Sequence, residues 1–437
     1  MDISKSCERY LQRYREHELP ESLHEPDTWQ DVLVIPAYKE SPELIKRLMC
    51  LPKGHGRSLV IMVINHPDTQ ANSQINNALR HAINGLAPAD TTKPQLAIKQ
   101  LNSHTDLYVH DLDNISGPIS ASQGVGLARK TGCDIAFTWI QNGSIGSEWI
   151  CSGDADATYP TDYFVQLANV PGDRVGAVYP FRHVPGGEPA CDAATASYEL
   201  HLHHYRLGLE YAASPYAMHT LGSALAVKAR SYAQVHGFPK RSGGEDFYLL
   251  NKLAKVGAIE PLCGNTIDIT SRISDRIPFG TGPAVEVLCA TGELSQQPLF
   301  YHPECFLALR GFLQIVELRG ADLDYEHLET ALAETEMGAQ LREHICRIGK
   351  KMGLSAALEH CRRQSTCAAQ YLRQFHQWFD GFRTLKFIHG IRDAGWPMQS
   401  FDQLRHLTPN FLPPARCASD VESQLQAIRQ HWAWKSG

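Results

Sequence analysis

At 437 residues and 43% hydrophobic composition, the chain is long enough for two domains, or for one large domain with an appendage. Its 47 acidic and 41 basic residues leave a net charge of −6, which excludes the broad basic footprint of sequence-independent nucleic-acid binding. Twelve cysteines occur without a CxxC pair, which argues against a zinc ribbon and fits reduced thiols packed as small hydrophobes.

The opening MDISKSCERYLQRYREHELPE is charged and amphipathic, without the apolar centre of a secretory signal, and is read as an N-terminal helical segment over 1–30. Val32 to Ile35 forms an apolar run closed by Pro36. SPELIKRLMCL follows as a helix, with Ser41 as its N-cap and Pro42 at its first position. Leu59 to Ile64 is a second strand and DLYVHDL a third. GPISASQGVGLARKTGCDIAFTWI is rich in small residues and reads as a helix packed closely on a sheet. SEWICSGDAD supplies a fourth strand, DRVGAVYPF a fifth, and GSALAVKARSYAQVHGF a strand followed by a short helix. Strand and helix patterns alternate, so the fold class is α/β, a mostly parallel sheet flanked by helices. Ligands in such sheets sit beyond the carboxyl ends of the strands.

From about Pro303 the pattern changes to apolar residues at three- and four-residue spacing, which predicts an all-helical C-terminal extension. The expected domains are therefore 1–30, 31–300 and 301–437. No run of about 18 apolar residues occurs, so no membrane-spanning helix is expected. The expected location is cytoplasmic. The aromatic runs FHQWFDGF and HWAWKSG leave a peripheral place at the inner membrane surface open, and a homodimer through the helical part is a further option.

The acidic residues carry the chemistry. In WICSGDADATYP an apolar strand ends in Asp154 and Asp156, which point the same way and repel each other unless a cation lies between them. A hard cation such as Mg²⁺ or Mn²⁺ takes one or two carboxylates together with phosphate and water, and acts as a Lewis acid on a leaving diphosphate. The competing explanation is a solvated turn. In KRSGGEDFYLLNKLAKVGA, two glycines precede Glu245 and Asp246, which open an amphipathic helix. Acidic residues suit a helix N-terminus on electrostatic grounds alone. A carboxylate there could also deprotonate an acceptor hydroxyl.

Four segments in order resemble the family 2 glycosyltransferases of the GT-A fold, across about residues 30–275. They are VLVIPAYKES, GVGLARKTGCDIA, WICSGDADATYPTDYF, and GSALAVKARSYAQVHGFPKRSGGEDFYLLNKLAKVG. The resemblance implies that Pro36, Ala37 and Glu40 line a nucleotide pocket, with Asn65 near the base. Arg129 contacts the nucleotide or structures the site. Asp154 and Asp156 hold the metal and the donor, Asp246 is the catalytic base, and Glu245 lies beside it. Tyr198 and His219 fall in the region that faces the acceptor.

The chain departs from the family where Lys39 replaces the usual Asn and where IDITSRISDRIPFGTGP lacks a histidine for the metal. Either the metal has two protein ligands or fewer, or Arg272 and Arg276 neutralise the diphosphate, with FGTGP as a flexible lid. The implied activity is transfer of a sugar from a nucleoside diphosphate-sugar donor to a hydroxyl acceptor on a glycan, a lipid-linked carrier or a small molecule. Inversion at the sugar carbon is the expected outcome. The rivals are a sugar nucleotidyltransferase, disfavoured because IPAYKESPEL has no glycine-rich phosphate loop, and an inactive scaffold that binds partners through its helices.

Overall fold

The computed structural model describes residues 3–17, 19–20, 28–89, 96–274, 276, 280–290, 293–407, 409–414 and 420–435. They group into two compact units. The first comprises Met1–Thr195 and Thr220–Val287, with Lys435–Gly437. The second comprises Ala196–His219 and Leu288–Trp434.

The first unit is built on strands β1 (Asp31–Ala37), β2 (Ser58–Ile64), β3 (Lys99–Asn102), β4 (Thr105–Asp111) and β5 (Trp149–Ser152). Further along come β6 (Ala157–Thr158), β7 (Gly176–Val178), β8 (Phe181–Val184), β9 (Leu225–Lys228), β10 (Ile259–Pro261) and β11 (Ile267–Thr270). Eight of these form one sheet in the order β10-β7-β9-β5-β1-β2-β4-β3. Pairs β1/β2, β1/β5, β2/β4 and β10/β7 are parallel, while β9 and β3 run antiparallel to their neighbours. The sheet is thus mainly parallel, as the alternating pattern predicts. A small second sheet joins β6, β11 and β8.

The helices of this unit are α1 (Ile3–Arg13), α2 (Glu43–Met49), α3 (Asn77–Asn84), α4 (Leu112–Ile115), α5 (Gly124–Gln141), the first turns of α6 (Pro189–Tyr211), α7 (Ala229–Gln234), α8 (Glu245–Leu253) and most of α9 (Thr281–Ala290). Every residue of β2 is buried, and so is β1 apart from Pro36; strands covered on both faces read as continuous Val/Ile runs rather than alternating ones. Gly132 explains the small-residue reading of α5. A Cβ there would stand 2.4 Å from a Val34 methyl and 3.0 Å from one of Val63. α2 begins one residue later than expected: Pro42 is its N-cap, and the carbonyl of Ser41, not its hydroxyl, accepts from Leu44.

The second unit is helical, from α10 (Pro303–Arg319) through α11 (Leu328–Leu332), α12 (Ala339–Met352), α13 (Leu354–Arg363), α14 (Ala368–Trp378), α15 (Gly381–Asp393), α16 (Phe401–Leu407) and α17 (Val421–Lys435). Its core gathers Leu309, Phe312, Leu332, Phe375 and Phe387, and also Leu209 from the last turn of α6 and Ala212 just past it. No helix among the described residues is long and apolar enough to cross a membrane.

Candidate active site

The carboxyl ends of β1 and β5, the start of α8 and the segment after β11 bring the acidic residues together around arginines. Arg129, on the face of α5 turned to the sheet, is 2% exposed and spends nearly all its donors. Its Nε donates to Glu245 at 3.0 Å, and one terminal nitrogen to Asp154 at 2.7 Å. The other donates to the Ser152 hydroxyl and to the carbonyls of Gly153 and Gly222, at 2.7, 3.0 and 3.1 Å. Burial alone disfavours the charge, but Asp154 and Glu245 outweigh it and hold the guanidinium above its ordinary range. Arg129 thus ties α5 to the end of β5, to the start of α8 and to the turn before β9. Gly222 is required here, because a Cβ would meet the guanidinium at 2.4 Å.

Glu245 and Asp246 open α8 after Gly244, whose φ of +68° makes the turn that glycine enters without penalty. Glu245 is committed to Arg129, and Asp246 lies next to it in the first turn of the helix. Its Oδ1 accepts from the Phe247 backbone N–H at 2.7 Å. Burial, and next the charge of Glu245, push its pKa up to about 8 despite that hydrogen bond and Arg129. Asp154 adds to the upward push, so the two ends of the cluster feel each other electrostatically.

A second set lies around Asp156. Arg272, two residues past β11, donates through Nε and a terminal nitrogen to Asp156 Oδ2 at 2.8 and 2.7 Å. It also reaches both oxygens of the buried Glu40 at 3.4 Å, and Arg276 pairs with Glu40 as well. Burial lowers the pKa of Arg272, but Asp156 and Glu40 more than compensate and raise it. The two arginines read as phosphate contacts thus sit on the carboxylates expected to face that phosphate. Of the stretch expected as a lid, Phe279 lies outside the described residues, while Thr281 to Pro283 begin α9.

The remaining expected residues separate. Pro36 and Ala37 end β1, and the Ala37 carbonyl accepts from the Asn65 N–H at 3.1 Å, one strand over at the end of β2. Lys39 follows with φ +56°, a left-handed turn that asparagine enters more readily. The Lys39 N–H is held by the Asn76 side chain at 2.9 Å. Tyr198 and His219 belong to the second unit, where the buried His219 ring lies edge-on to His203 with centroids 4.9 Å apart. Burial, then the charges of His203 and Arg206, hold its imidazole well below the usual range. A pocket of about 200 Å³ lies at the other end of the sheet, lined by Asp31, His55, Trp149 and Lys228. Its charged groups are already paired, His55 with Asp31 and Lys228 with Glu148.

Sequence reasoning missed Ser152, Arg47 and Tyr159. Arg47 on α2 donates to the Ala155 carbonyl at 2.5 Å, and the Tyr159 hydroxyl to the Asp154 carbonyl at 3.4 Å. Neither carries a motif signal. Tyr159 left a trace only in the Tyr-Pro turn after the aspartates.

Among the described residues, no group of three or more His, Cys, Asp or Glu side chains is gathered to hold a metal ion. Asp154 and Asp156 each give one oxygen to a guanidinium, and both remain partly exposed, at 34% and 19%. An all-oxygen pair of this kind fits a hard divalent cation that completes its shell from phosphate and water.

No family model matches the chain, and no curated protein sequence does. Among solved structures it is similar to residues 1–349 of TarS from S. aureus in complex with UDP-GlcNAc, at 15% identity and a TM-score of 0.35, over 84% of this chain and 90% of that one. It is also similar to the mannosyltransferase PcManGT from Pyrobaculum calidifontis in complex with GDP-Man and Mn²⁺, at 15% identity and a TM-score of 0.34, over 90% and 93% of the two chains. A mycobacterial protein matches at 12% identity and a TM-score of 0.31, over 71% of this chain and 78% of that one. The fold described above rests on strand order and pairing.

Proposed function

We propose that the chain is a glycosyltransferase that moves a sugar from a nucleoside diphosphate-sugar to a hydroxyl acceptor. The observation that carries this reading is Asp246, a carboxyl with its pKa near 8, set beside an Asp154–Arg129–Glu245 ion cluster at the carboxyl edge of a mainly parallel sheet. A base of that pKa is matched to removing a proton from a hydroxyl near neutral pH.

Charge supports a divalent cation. Glu40, Asp154, Asp156, Glu245 and Asp246 lie among the guanidiniums of Arg47, Arg129, Arg272 and Arg276, so the charges balance with Asp246 protonated and leave one surplus carboxylate once it ionises. An anionic diphosphate gains no net attraction from the balanced set and is repelled by the ionised one unless a cation accompanies it. Asp154 and Asp156 would hold Mg²⁺ or Mn²⁺, which supplies Lewis-acid stabilisation of the leaving diphosphate. Asp246 takes the acceptor proton as the hydroxyl attacks the sugar carbon from the face opposite the diphosphate, which inverts the centre. Pro36, Ala37, Glu40 and Asn65 are proposed to line the nucleotide.

A second reading follows from the grip of Arg272 on Asp156. Here Arg272 and Arg276 turn to the diphosphate and no metal is needed, since planar guanidinium forks suit phosphate oxygens. Release of nucleoside diphosphate from UDP-, GDP- and dTDP-sugars, measured with and without Mn²⁺ or Mg²⁺, tests both. Metal-dependent release that Asp246→Asn abolishes supports the first reading. Release unchanged by EDTA supports the second, and no release from any donor contradicts both.

A further inference from the structure

The loop that carries the two aspartates is tied down at each successive carbonyl by a donor from another part of the first unit or from the loop's own turn. The Gly153 carbonyl takes Arg129 at 3.0 Å from α5. That of Asp154 takes the Ala157 N–H at 3.3 Å and the Tyr159 hydroxyl at 3.4 Å. That of Asp156 takes the Thr270 N–H of β11 at 3.1 Å. The peptide between the aspartates is the remaining one, and its carbonyl, on Ala155, takes Arg47 of α2, 108 positions earlier in the chain, at 2.5 Å.

Docking of α2 does not need this arginine. Leu44, Ile45 and Leu48 supply its buried face. Arg47 also keeps its Nε–H buried without an acceptor among the described residues, a placement that stability alone disfavours. The Ala155 side chain is buried, so the loop cannot swing outward as a unit without exposing it. What remains free to turn is the Ala155–Asp156 peptide plane, and turning it shifts the Asp156 nitrogen and so tilts the bond from the Asp156 Cα to its side chain. The Ala155 carbonyl is the handle that Arg47 holds.

We propose that Arg47 is a positioning residue for the carboxylates that would hold the donor's metal: its guanidinium fixes the peptide between Asp154 and Asp156 and so sets the direction in which the Asp156 carboxylate leaves the loop. This rests on the donor-binding reading above. Groups that orient metal-binding carboxylates without touching the ion typically change affinity by roughly 10–100-fold when removed.

The test is calorimetric titration of Mn²⁺ with UDP, GDP and dTDP into the full chain, the wild type first and then Arg47→Ala and Arg47→Lys, with melting temperatures recorded alongside. For the nucleotide that wild type binds, Arg47→Ala is expected to weaken binding by roughly 10–100-fold at a temperature well below its melting point. Arg47→Lys, which keeps a cationic donor, is expected to lie between. Millimolar guanidinium, too dilute to denature, is expected to restore part of the loss in Arg47→Ala alone. An Arg47→Ala protein that melts earlier but binds as tightly as wild type overturns the proposal and leaves a structural arginine. Wild type that binds none of the three nucleotides overturns the donor reading itself, and the proposal with it.

Discussion

Asp246 is held against its own preference for charge, and this has consequences for both rate and stability. Burial, with the charge of Glu245, raises its pKa to about 8, so the folded protein binds a proton there that the unfolded chain releases above the ordinary carboxylate range. Between those limits the native state binds more protons than the unfolded state, so this group's contribution to stability falls as pH rises from about 4 to about 8. Asp246→Asn removes that penalty. It is expected to raise the melting temperature at pH 8 and to leave it little changed at pH 4, while turnover drops by roughly 10²–10⁴-fold. Scanning calorimetry at the two pH values and a single activity assay check both halves. In the wild type, kcat/KM is expected to climb with pH and level off above about 8, since the reacting form is the carboxylate. A profile flat from pH 6 to 9 would remove Asp246 from the role of base. Arg129 makes the opposite case, a charge that the fold requires. Arg129→Met would leave Glu245 and Asp154 without their partner and is expected to cost about 3–5 kcal/mol in urea denaturation. Arg129→Lys should recover little of it, because one ammonium cannot reproduce a planar fork with donors on three sides.

Elements place these residues, and one close approach couples two of them. Gly126 on α5 packs against the chain that leads into α8, and its N–H donates to the Arg241 carbonyl at 2.9 Å. A Cβ there would meet backbone atoms of Pro239 and Arg241 at 2.5 Å, and backbone cannot rotate away as a side chain can. Gly126→Ala is expected to cost about 1–3 kcal/mol and to lower activity by more than that loss explains, because the displaced segment runs into Glu245 and Asp246. Gly85→Ala, where the nearest atom is at 3.4 Å and φ is negative, is the tolerated control. These elements also mark what the sequence could and could not disclose. The Val/Ile runs of β1 and β2, the small residues of α5 and the paired acids at β5 and α8 are local patterns, and they located the mainly parallel sheet and the carboxylate cluster. β6, β8, β10 and β11 have only two to four residues each, too short for any periodicity to register. The partnership of Glu40 with Arg272 spans 232 positions, and that of Arg47 with Ala155 spans 108; nothing in either neighbourhood signals the other. The expected N-cap at Ser41 failed for a related reason, since Pro42 already sets the backbone that starts α2.

At the scale of the whole chain, the two units have cores of different kinds. Residues Ala196–His219 lie early in the sequence yet belong to the helical unit, where Leu209 and Ala212 share a core with Phe306, Leu309 and Phe312. Every carboxylate and guanidinium of the proposed donor site lies in the first unit. Hydrogen exchange with a bound donor is therefore expected to slow at residues 152–156, 244–250 and 270–272, while the amides of α12 to α15 keep their rates. Protection confined to the helical unit would move the donor site there. The measurement that tests the central claim most directly is thermal stabilisation of the full chain by UDP-, GDP- and dTDP-sugars, with Mn²⁺, with Mg²⁺ and with EDTA. The expected result is stabilisation by donors of one base, present with a divalent metal, lost in EDTA and lost in Asp156→Ala. A well-folded wild-type protein whose melting temperature no donor shifts under any of these conditions would contradict the account.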